Sequence, residues 1–165
     1  MGLGCQTIVV MSVVGIGALP ALAQDDTAGA TSYAERCAIC HQPDGQGVAG
    51  VYPPINETLG HFMATEPGRR YLAEVVAFGL AGAITVGGQP YIGQMKLAPP
   101  LSDQETADVL NYVLTAFNGA SLPADAAVFS PDEIAALRAT PKSPTDMAKA
   151  RQAIVAELEQ LGLKR

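Results

Sequence analysis

The chain has 165 residues, of which 48% are hydrophobic and only 5% are aromatic. Sixteen acidic residues against ten basic ones give a net charge of −6, which excludes a nucleic-acid-binding surface because phosphate binding requires clustered positive charge. The hydrophobic fraction excludes a disordered chain, and three cysteines are too few for a disulfide framework. The length suffices for one domain with some chain beyond it.

Residues 1–23 have the character of a secretory signal peptide. They contain no charged side chain, and the apolar run from Ile8 to Leu19 has the length of a signal hydrophobic region. Small residues follow at 21–23 (ALA), so we expect cleavage near Ala23 and export to the periplasm, with no stable membrane insertion afterwards. The alternative is a retained anchor helix, although the run is short for a span of roughly 20 residues.

Residues 31–41 predict a helix that leads into a haem-attachment motif. The helix begins at Thr31 or Ser32 as N-cap and continues toward the sequence CAICH at 37–41. Two thiols one helical turn apart can add to the two vinyl groups on one edge of a porphyrin, and the next residue then lies beneath the iron. This spacing predicts that the thiols of Cys37 and Cys40 hold one covalent haem c.

Two other types of site use the same residues. A thioredoxin-like redox pair would follow a strand in a βαβ pattern, which the sequence lacks. A zinc site would need two further cysteines or histidines at suitable spacing, and only His61 remains outside the motif in the mature chain. The haem interpretation is therefore preferred, with His41 as the proximal iron ligand.

The middle of the chain predicts two helices separated by a loop. Apolar residues recur at helical spacing over 69–78, and Gly79 is a helix stop. Five glycines between 79 and 93, without sustained periodicity, predict a loop. Ser102 and Glu105 then form a capping box that opens a helix ending at Phe117.

Residues 120–165 predict two further helices. Ser130 and Ser143 each precede a proline and, three positions on, an acidic residue, which is an N-cap pattern. The second helix ends at Gly162 and carries an apolar stripe of Met147, Ile154, Val155, Leu158 and Leu161. Short isolated helices are marginal in water, so this stripe must be buried, either on the chain's own surface or on a partner subunit.

Several short segments together point to a family. Beside CAICH they are 43–47 (PDGQG), 52–55 (YPPI) and 91–95 (YIGQM). Over residues 31–119 the chain resembles a class I, mitochondrial-like bacterial monohaem cytochrome c, of the type that serves periplasmic dehydrogenases and oxidases. The resemblance implies an all-α class I cytochrome c fold, with helices wrapped around one covalent haem. The haem domain would then comprise 24–119 and a helical C-terminal extension 120–165.

The sixth iron ligand has four candidates in the mature chain, namely Met63, Met95, Met147 and His61. A thioether is a soft, neutral ligand, and pairing it with histidine raises the reduction potential. The resemblance places the family's axial methionine at Met95, and we expect Met95 to be the distal ligand. A methionine such as Met63 is more often core packing.

The resemblance also implies contacts around the haem. The backbone carbonyl of Pro53 or Pro54 would accept a hydrogen bond from the second nitrogen of His41 and fix its ring. Tyr91, or an arginine of the pair at 69–70, would meet a haem propionate.

The implied function is one-electron transfer by iron cycling between Fe(III) and Fe(II), without substrate turnover. The implied partners are redox proteins: a dehydrogenase as donor, and a terminal oxidase or reductase as acceptor. Two alternatives stay open, a dedicated cytochrome subunit of a periplasmic dehydrogenase complex and a haem enzyme or sensor with an open iron position. Residues 24–117 hold ten acidic and four basic residues, so we expect a docking face that is apolar with an acidic rim, or simply uncharged at its centre.

Overall fold

The chain forms six α-helices, two short 3-10 helices and one β-hairpin in the part that this computed structural model describes, Met1 and residues 26–163. The predicted signal peptide at 1–23 and its cleavage near Ala23 lie, apart from Met1, outside the described residues. The α-helices are α1 Asp26–Arg36, α2 Ala38–His41, α3 Glu66–Phe78, α4 Asp103–Asn118, α5 Pro131–Arg138 and α6 Pro144–Gln160. The 3-10 helices are Gly60–Ala64 and Gly119–Ser121. None of the described helices combines the length and the apolar character that crossing a bilayer requires.

Helix α1 begins earlier than the sequence predicts. It starts at Asp26, so Thr31 and Ser32 lie inside the helix and the prediction of either as N-cap is wrong. The added turns cross α4 closely at Gly29, where a Cβ atom would lie 2.4 Å from the Asp108 carbonyl oxygen. Packing on α4 therefore sets the length of α1, which local capping preferences do not reveal.

Helix α3 confirms the predicted helix and extends it at its start. It begins at Glu66 because the Thr65 hydroxyl caps the helix, accepting a hydrogen bond from the Gly68 amide at 3.1 Å. It ends at Gly79, as predicted, with a positive φ of 84°.

A β-hairpin replaces the loop predicted over 79–93. Strand β1 Leu80–Val86 pairs antiparallel with β2 Gln89–Met95, so the loop prediction is wrong. Gly87 and Gly88 form the two-residue turn with φ of 57° and 81°, the left-handed pair that a tight hairpin requires. The glycines that indicate a loop by composition are thus the residues that permit this turn.

Helix α4 carries an apolar stripe into the core, formed by Ala107, Leu110, Val113, Leu114 and Phe117. The Ser102–Glu105 capping box is present in full, with the Glu105 amide donating to the Ser102 hydroxyl at 3.2 Å. The stripe is buried at four positions and half-buried at Phe117. Where α4 crosses α1, the rings of Tyr33 and Tyr112 lie 5.7 Å apart.

The C-terminal extension packs on the chain's own core. Ser130 and Ser143 cap α5 and α6 as predicted, and α6 packs against β1 and α3. One buried cluster joins both sides of position 119, and its members include Phe62, Tyr71, Leu72, Phe129, Ile134, Met147, Ile154 and Leu158. Of the two alternatives for the tail stripe, burial on the chain itself is therefore confirmed. Leu161 is an exception, because α6 ends before it and its side chain is 58% exposed.

Among the residues that the structure describes, three ion pairs link the extension to the preceding helices. Their N–O distances are 2.7 Å for Arg69–Glu133, 2.6 Å for Arg138–Asp103 and 3.2 Å for Lys142–Glu74. The Glu74 carboxylate also accepts from Arg70 at 2.8 Å and is only 3% exposed. A buried carboxylate with two cationic partners fixes how the α5–α6 connection sits on α3.

Candidate haem-attachment site

The two motif cysteines lie on one helical turn. Cys37 joins α1 to the short helix α2, and the His41 amide donates to the Cys37 carbonyl at 2.9 Å. Cys37 and Cys40 are free thiols and half-buried, whereas Ile39 between them is 80% exposed. The chain thus keeps both sulfur atoms unpaired and at the edge of the core. Burial raises the pKa of the Cys37 thiol to about 11.

The His41 ring is held by a backbone carbonyl. The ring is 8% exposed, and Nδ1 donates to the Pro53 carbonyl oxygen at 2.9 Å. This confirms the expected carbonyl contact and assigns it to Pro53 and not to Pro54. A carbonyl can only accept, so the proton lies on Nδ1 and the lone pair on Nε2 remains for a metal. Burial lowers the pKa of His41, which favours the neutral ring that a metal requires.

A glycine in the following loop allows the Pro53 contact. The Gly47 amide donates to the His41 carbonyl at 2.9 Å, and Gly47 has a φ of 65°. A Cβ atom at Gly47 would lie 2.3 Å from the Tyr52 carbonyl oxygen and 2.7 Å from that of Pro53. Only glycine lets the chain turn back so closely, and this return places the carbonyl on the imidazole.

Met95 lies at the end of the hairpin. It is the last residue of β2, half-buried, and it packs against the large cluster that joins core and extension. Gly79 lies directly against it, since a Cβ atom there would meet the Met95 carbonyl oxygen at 2.5 Å. Leu59 and Val76 pack against both this cluster and a second one, against which Cys37 also packs; the second cluster is formed by Tyr33, Leu101, Val109 and Val113. The parts of the core that carry the attachment turn and Met95 are therefore adjacent.

The other three candidates for the sixth ligand have different surroundings. Met63 and His61 are half-buried on the first 3-10 helix, and Met63 packs against the same cluster as Met95. Met147 is fully buried on α6, among apolar side chains of the extension. Its burial there gives it the role of a core residue.

The arginines expected at a propionate have partners within the chain. The Arg69 guanidinium donates to both Glu133 carboxylate oxygens and to the carbonyls of Ala127 and Val128. Arg70 donates to Glu74. A propionate contact of this pair stays a prediction, and it would have to coexist with these contacts to the chain's own groups.

Sequence reasoning missed one buried cation. Arg151 is 6% exposed and lies on the inward face of α6, in register with Met147, Ile154 and Leu158. The sequence contains a signal for this residue, namely a charged side chain at a core position of an amphipathic stripe, but a stripe defined by apolar residues alone omits it.

The site fits a haem better than a bare metal ion. Two free thiols on one turn provide thioether attachment, and a neutral, oriented imidazole provides an iron ligand. Within residues 26–163, no three side chains of His, Cys, Asp or Glu converge as a metal site would require. The zinc alternative therefore has no ligand set in the described part of the chain.

Comparison with known proteins also indicates a protein that binds haem through two cysteines and a histidine. Residues 27–117 match the family model named Cytochrome c. Cytochrome c-552 of Thermus thermophilus is 40% identical over 154 residues, which cover 93% of this chain and 97% of that protein. The chain belongs to the cytochrome c family. It is a cytochrome c electron carrier with covalent haem c. Membership of this family confirms the predicted all-α class I cytochrome c fold with C-terminal helices, to which the structure adds the β1–β2 hairpin.

Subunits of larger enzymes are also similar. The cytochrome c subunit of the quinone alcohol dehydrogenase of Gluconobacter oxydans is 38% identical over 86 residues, which cover 52% of this chain and 17% of that subunit. The cytochrome c subunit of the gluconate 2-dehydrogenase of Pantoea cypripedii is 31% identical over 142 residues, or 82% of this chain and 29% of that subunit. The chain thus spans less than a third of these two subunits but nearly all of the cytochrome c-552.

Proposed function

We propose that the protein is a periplasmic one-electron carrier whose haem is attached to Cys37 and Cys40, with His41 and Met95 as the axial iron ligands. The observation that carries the proposal is the hydrogen bond from His41 Nδ1 to the Pro53 carbonyl, beside two free thiols on the same turn. It leaves Nε2 as the ligand atom and fixes the direction of the ring. Haem so held supplies an iron that alternates between Fe(III) and Fe(II).

The chain's own residues set the conditions for this reaction. The Pro53 carbonyl orients His41 and makes it a stronger donor. The Met95 thioether, placed by the hairpin, is soft and neutral and favours the reduced iron, so it would raise the potential. With His41 and Met95 as its protein ligands, the iron would have no open position for a substrate, so we propose no substrate turnover there. Residues 24–119 would form the haem-binding part and 120–165 an extension that completes its core.

The proposed partners are redox proteins, with a dehydrogenase as donor and a terminal oxidase or reductase as acceptor. Exposed apolar side chains lie on the attachment turn and on the loop after it, at Ile39, Val48, Val51 and Tyr52. They offer an uncharged centre for short-lived docking, and the surplus of acidic residues in 24–117 gives this part of the chain a negative charge. Export rests on the signal-like segment 1–23.

The second candidate function is a dedicated cytochrome subunit of a dehydrogenase. It is favoured by the similarity to such subunits in Gluconobacter oxydans and Pantoea cypripedii. The extension does not favour it, because its apolar stripe is buried within the chain. Copurification of the tagged protein with a large catalytic subunit would support this candidate, whereas recovery of the protein alone from the periplasmic fraction would support the free carrier.

A redox titration of the protein recovered from the periplasm tests the primary proposal. A pyridine haemochrome spectrum should show one thioether-linked haem per chain. The titration should be reversible and fit a single one-electron step. Failure to bind carbon monoxide in the reduced state is expected for two protein ligands. Ready binding would instead support the haem enzyme or sensor with an open iron position.

A further inference from the structure

Asn118, the last residue of α4, is a buried polar side chain that the attachment site does not by itself explain. It is 1% exposed. Its Oδ1 accepts hydrogen bonds from the amides of Leu59 and Gly60 at 2.9 and 3.3 Å. Its Nδ2 donates to the Ile55 carbonyl at 2.8 Å and to the Val113 carbonyl at 3.0 Å. Two donors and two acceptor positions of the amide are thus occupied, and three of the four partners lie on one stretch of backbone.

That stretch also carries the partner of the His41 ring. It is the loop 53–59, which leads from Pro53 to the first 3-10 helix. At the start of the loop, the Pro53 carbonyl accepts the hydrogen bond from His41 Nδ1 at 2.9 Å. The contacts of Asn118 begin two residues later, at Ile55. Asn118 therefore holds the backbone directly beyond the carbonyl that orients the imidazole.

Backbone hydrogen bonds hold the middle of the 53–59 loop from two sides. The amides of Ile55 and Asn56 donate to the Gly45 carbonyl at 2.8 and 3.2 Å, on the loop that follows the attachment motif. The Glu57 amide donates to the Phe117 carbonyl at 3.0 Å, at the end of α4. The loop thus lies between α4 and the chain beyond the attachment motif, so a shift of its α4 side is passed on to its start.

The 53–59 loop also contains strained backbone. Glu57 has a φ of 55°, and within residues 26–163 Gln42 is the one other non-glycine residue with a positive φ. Side chains rarely adopt this region, and such a conformation persists where its surroundings hold it. Gln42 directly follows His41, and Glu57 follows Pro53 by four residues. Both strained positions therefore lie close in sequence to the two members of the imidazole–carbonyl pair.

We propose that Asn118 is a positioning residue for the axial histidine: by holding the 53–59 loop it keeps the Pro53 carbonyl on His41 Nδ1, and it thereby sets the reduction potential. The inference rests on the proposed function, in which His41 is an iron ligand. A carbonyl that accepts from Nδ1 makes the imidazole a stronger donor to the metal. A stronger donor stabilises Fe(III) more than Fe(II), so this hydrogen bond lowers the potential.

Asn111 offers a matched comparison on the same helix. It is 6% exposed, and its amide also joins α4 to a distant backbone. It accepts from the Phe129 amide at 2.8 Å and donates to the Phe129 carbonyl at 3.0 Å. These bonds reach the C-terminal extension and not the 53–59 loop. Loss of either asparagine should lower stability, because buried backbone groups lose their partners, but only the loss of Asn118 should affect His41.

The test compares Asn118→Leu with Asn111→Leu in the holoprotein. Leucine has the branched shape of asparagine but forms no hydrogen bond. In Asn118→Leu the affinity for Fe(III) relative to Fe(II) should fall about threefold or more, which raises the midpoint potential by about 28 mV or more at about 59 mV per tenfold change. Asn111→Leu should keep the wild-type potential. Loosening that lets solvent reach the haem would act in the opposite direction, because water stabilises the more highly charged Fe(III). An unchanged or lower potential in Asn118→Leu would therefore overturn the proposal.

Hydrogen exchange of the His41 Nδ1 proton reads the contact itself. It can be followed by nuclear magnetic resonance in the reduced, diamagnetic protein, with the amide of the buried Leu114 on α4 as a reference for opening of the core. In Asn118→Leu the Nδ1 proton should exchange at least about tenfold faster relative to this amide. In Asn111→Leu the ratio should remain that of the wild type. Equal ratios in the two variants would reduce Asn118 to a structural role.

Asn118→Ser keeps the test decisive where Asn118→Leu does not fold. Serine leaves room for a water molecule that can satisfy the freed backbone groups, but it cannot bridge the loop to α4 as the longer amide does. Faster relative exchange of the Nδ1 proton in this variant supports the proposal, and an unchanged ratio overturns it. A haemochrome spectrum separates the two claims. Wild-type protein without thioether-linked haem would refute the proposed function, whereas intact haem with unchanged potential and exchange would refute only the role of Asn118.

Discussion

Leu158→Ala measures how far the extension is part of the core. The Leu158 side chain is 0% exposed and lies in the cluster that joins α6 to the first 3-10 helix and α3. The substitution removes three buried carbon groups at about 0.8 kcal/mol each, or about 2.4 kcal/mol. The cavity left behind adds to this, so a total loss of about 3–4 kcal/mol in the free energy of unfolding is expected.

Leu161→Ala is the matched control. The residue type is the same and Leu161 directly follows the last residue of α6, but its side chain is 58% exposed, so its loss should change stability by only about 0.5 kcal/mol. Guanidinium chloride unfolding of the oxidised holoprotein, followed by far-UV circular dichroism, gives both values. Equal, small effects of the two substitutions would refute the packing of the extension on the core described here.

Three further predictions concern the attachment site and its surface. Joint replacement of Cys37 and Cys40 by alanine should yield an unstable chain without covalent haem, whereas Ile39→Ala should retain haem; a stable, haem-free double variant would contradict the attachment site. Burial raises the pKa of Tyr33 from 10.0 to about 12, so above pH 10 the unfolded chain releases this proton first and stability should fall toward pH 12. Unfolding curves of Tyr33→Phe should lack that part of the decline, and an identical slope in both proteins would exclude Tyr33 as its source. Association with a basic redox partner should slow as ionic strength rises, because the haem-binding part is acidic; stopped-flow rates that do not change with salt would indicate apolar docking alone.

Helix ends with local signals could be predicted from the sequence. The capping box at Ser102, the serine caps of α5 and α6 and the glycine stop at Gly79 depend on residues within one turn of each other. The start of α1 could not be predicted in this way, because it is set by the crossing with α4 at Gly29. Such a contact joins residues almost 80 positions apart and leaves no local pattern.

The hairpin was missed for a different reason. The pair Gly87–Gly88, preceded by the β-branched residues of β1, is a hairpin signal, but the remaining glycines conceal the alternation of a strand. The motif at 37–41 could be predicted from the sequence because haem chemistry dictates its spacing. The Pro53 carbonyl contact could be predicted because the family resemblance implies it. Arg151 was not identified, since only its neighbours in three dimensions show that its charge is uncompensated.

The oxidised spectra of Met95→Ala and Met63→Ala test the central claim most directly. Both methionines are half-buried and pack on the same cluster, so the two substitutions are closely matched in their effect on the core. A thioether–iron bond gives a far-red absorption band in the ferric protein. We predict that Met95→Ala abolishes this band, lowers the potential and opens the iron to exogenous ligands, whereas Met63→Ala retains the band. Loss of the band in Met63→Ala with its retention in Met95→Ala would contradict the account.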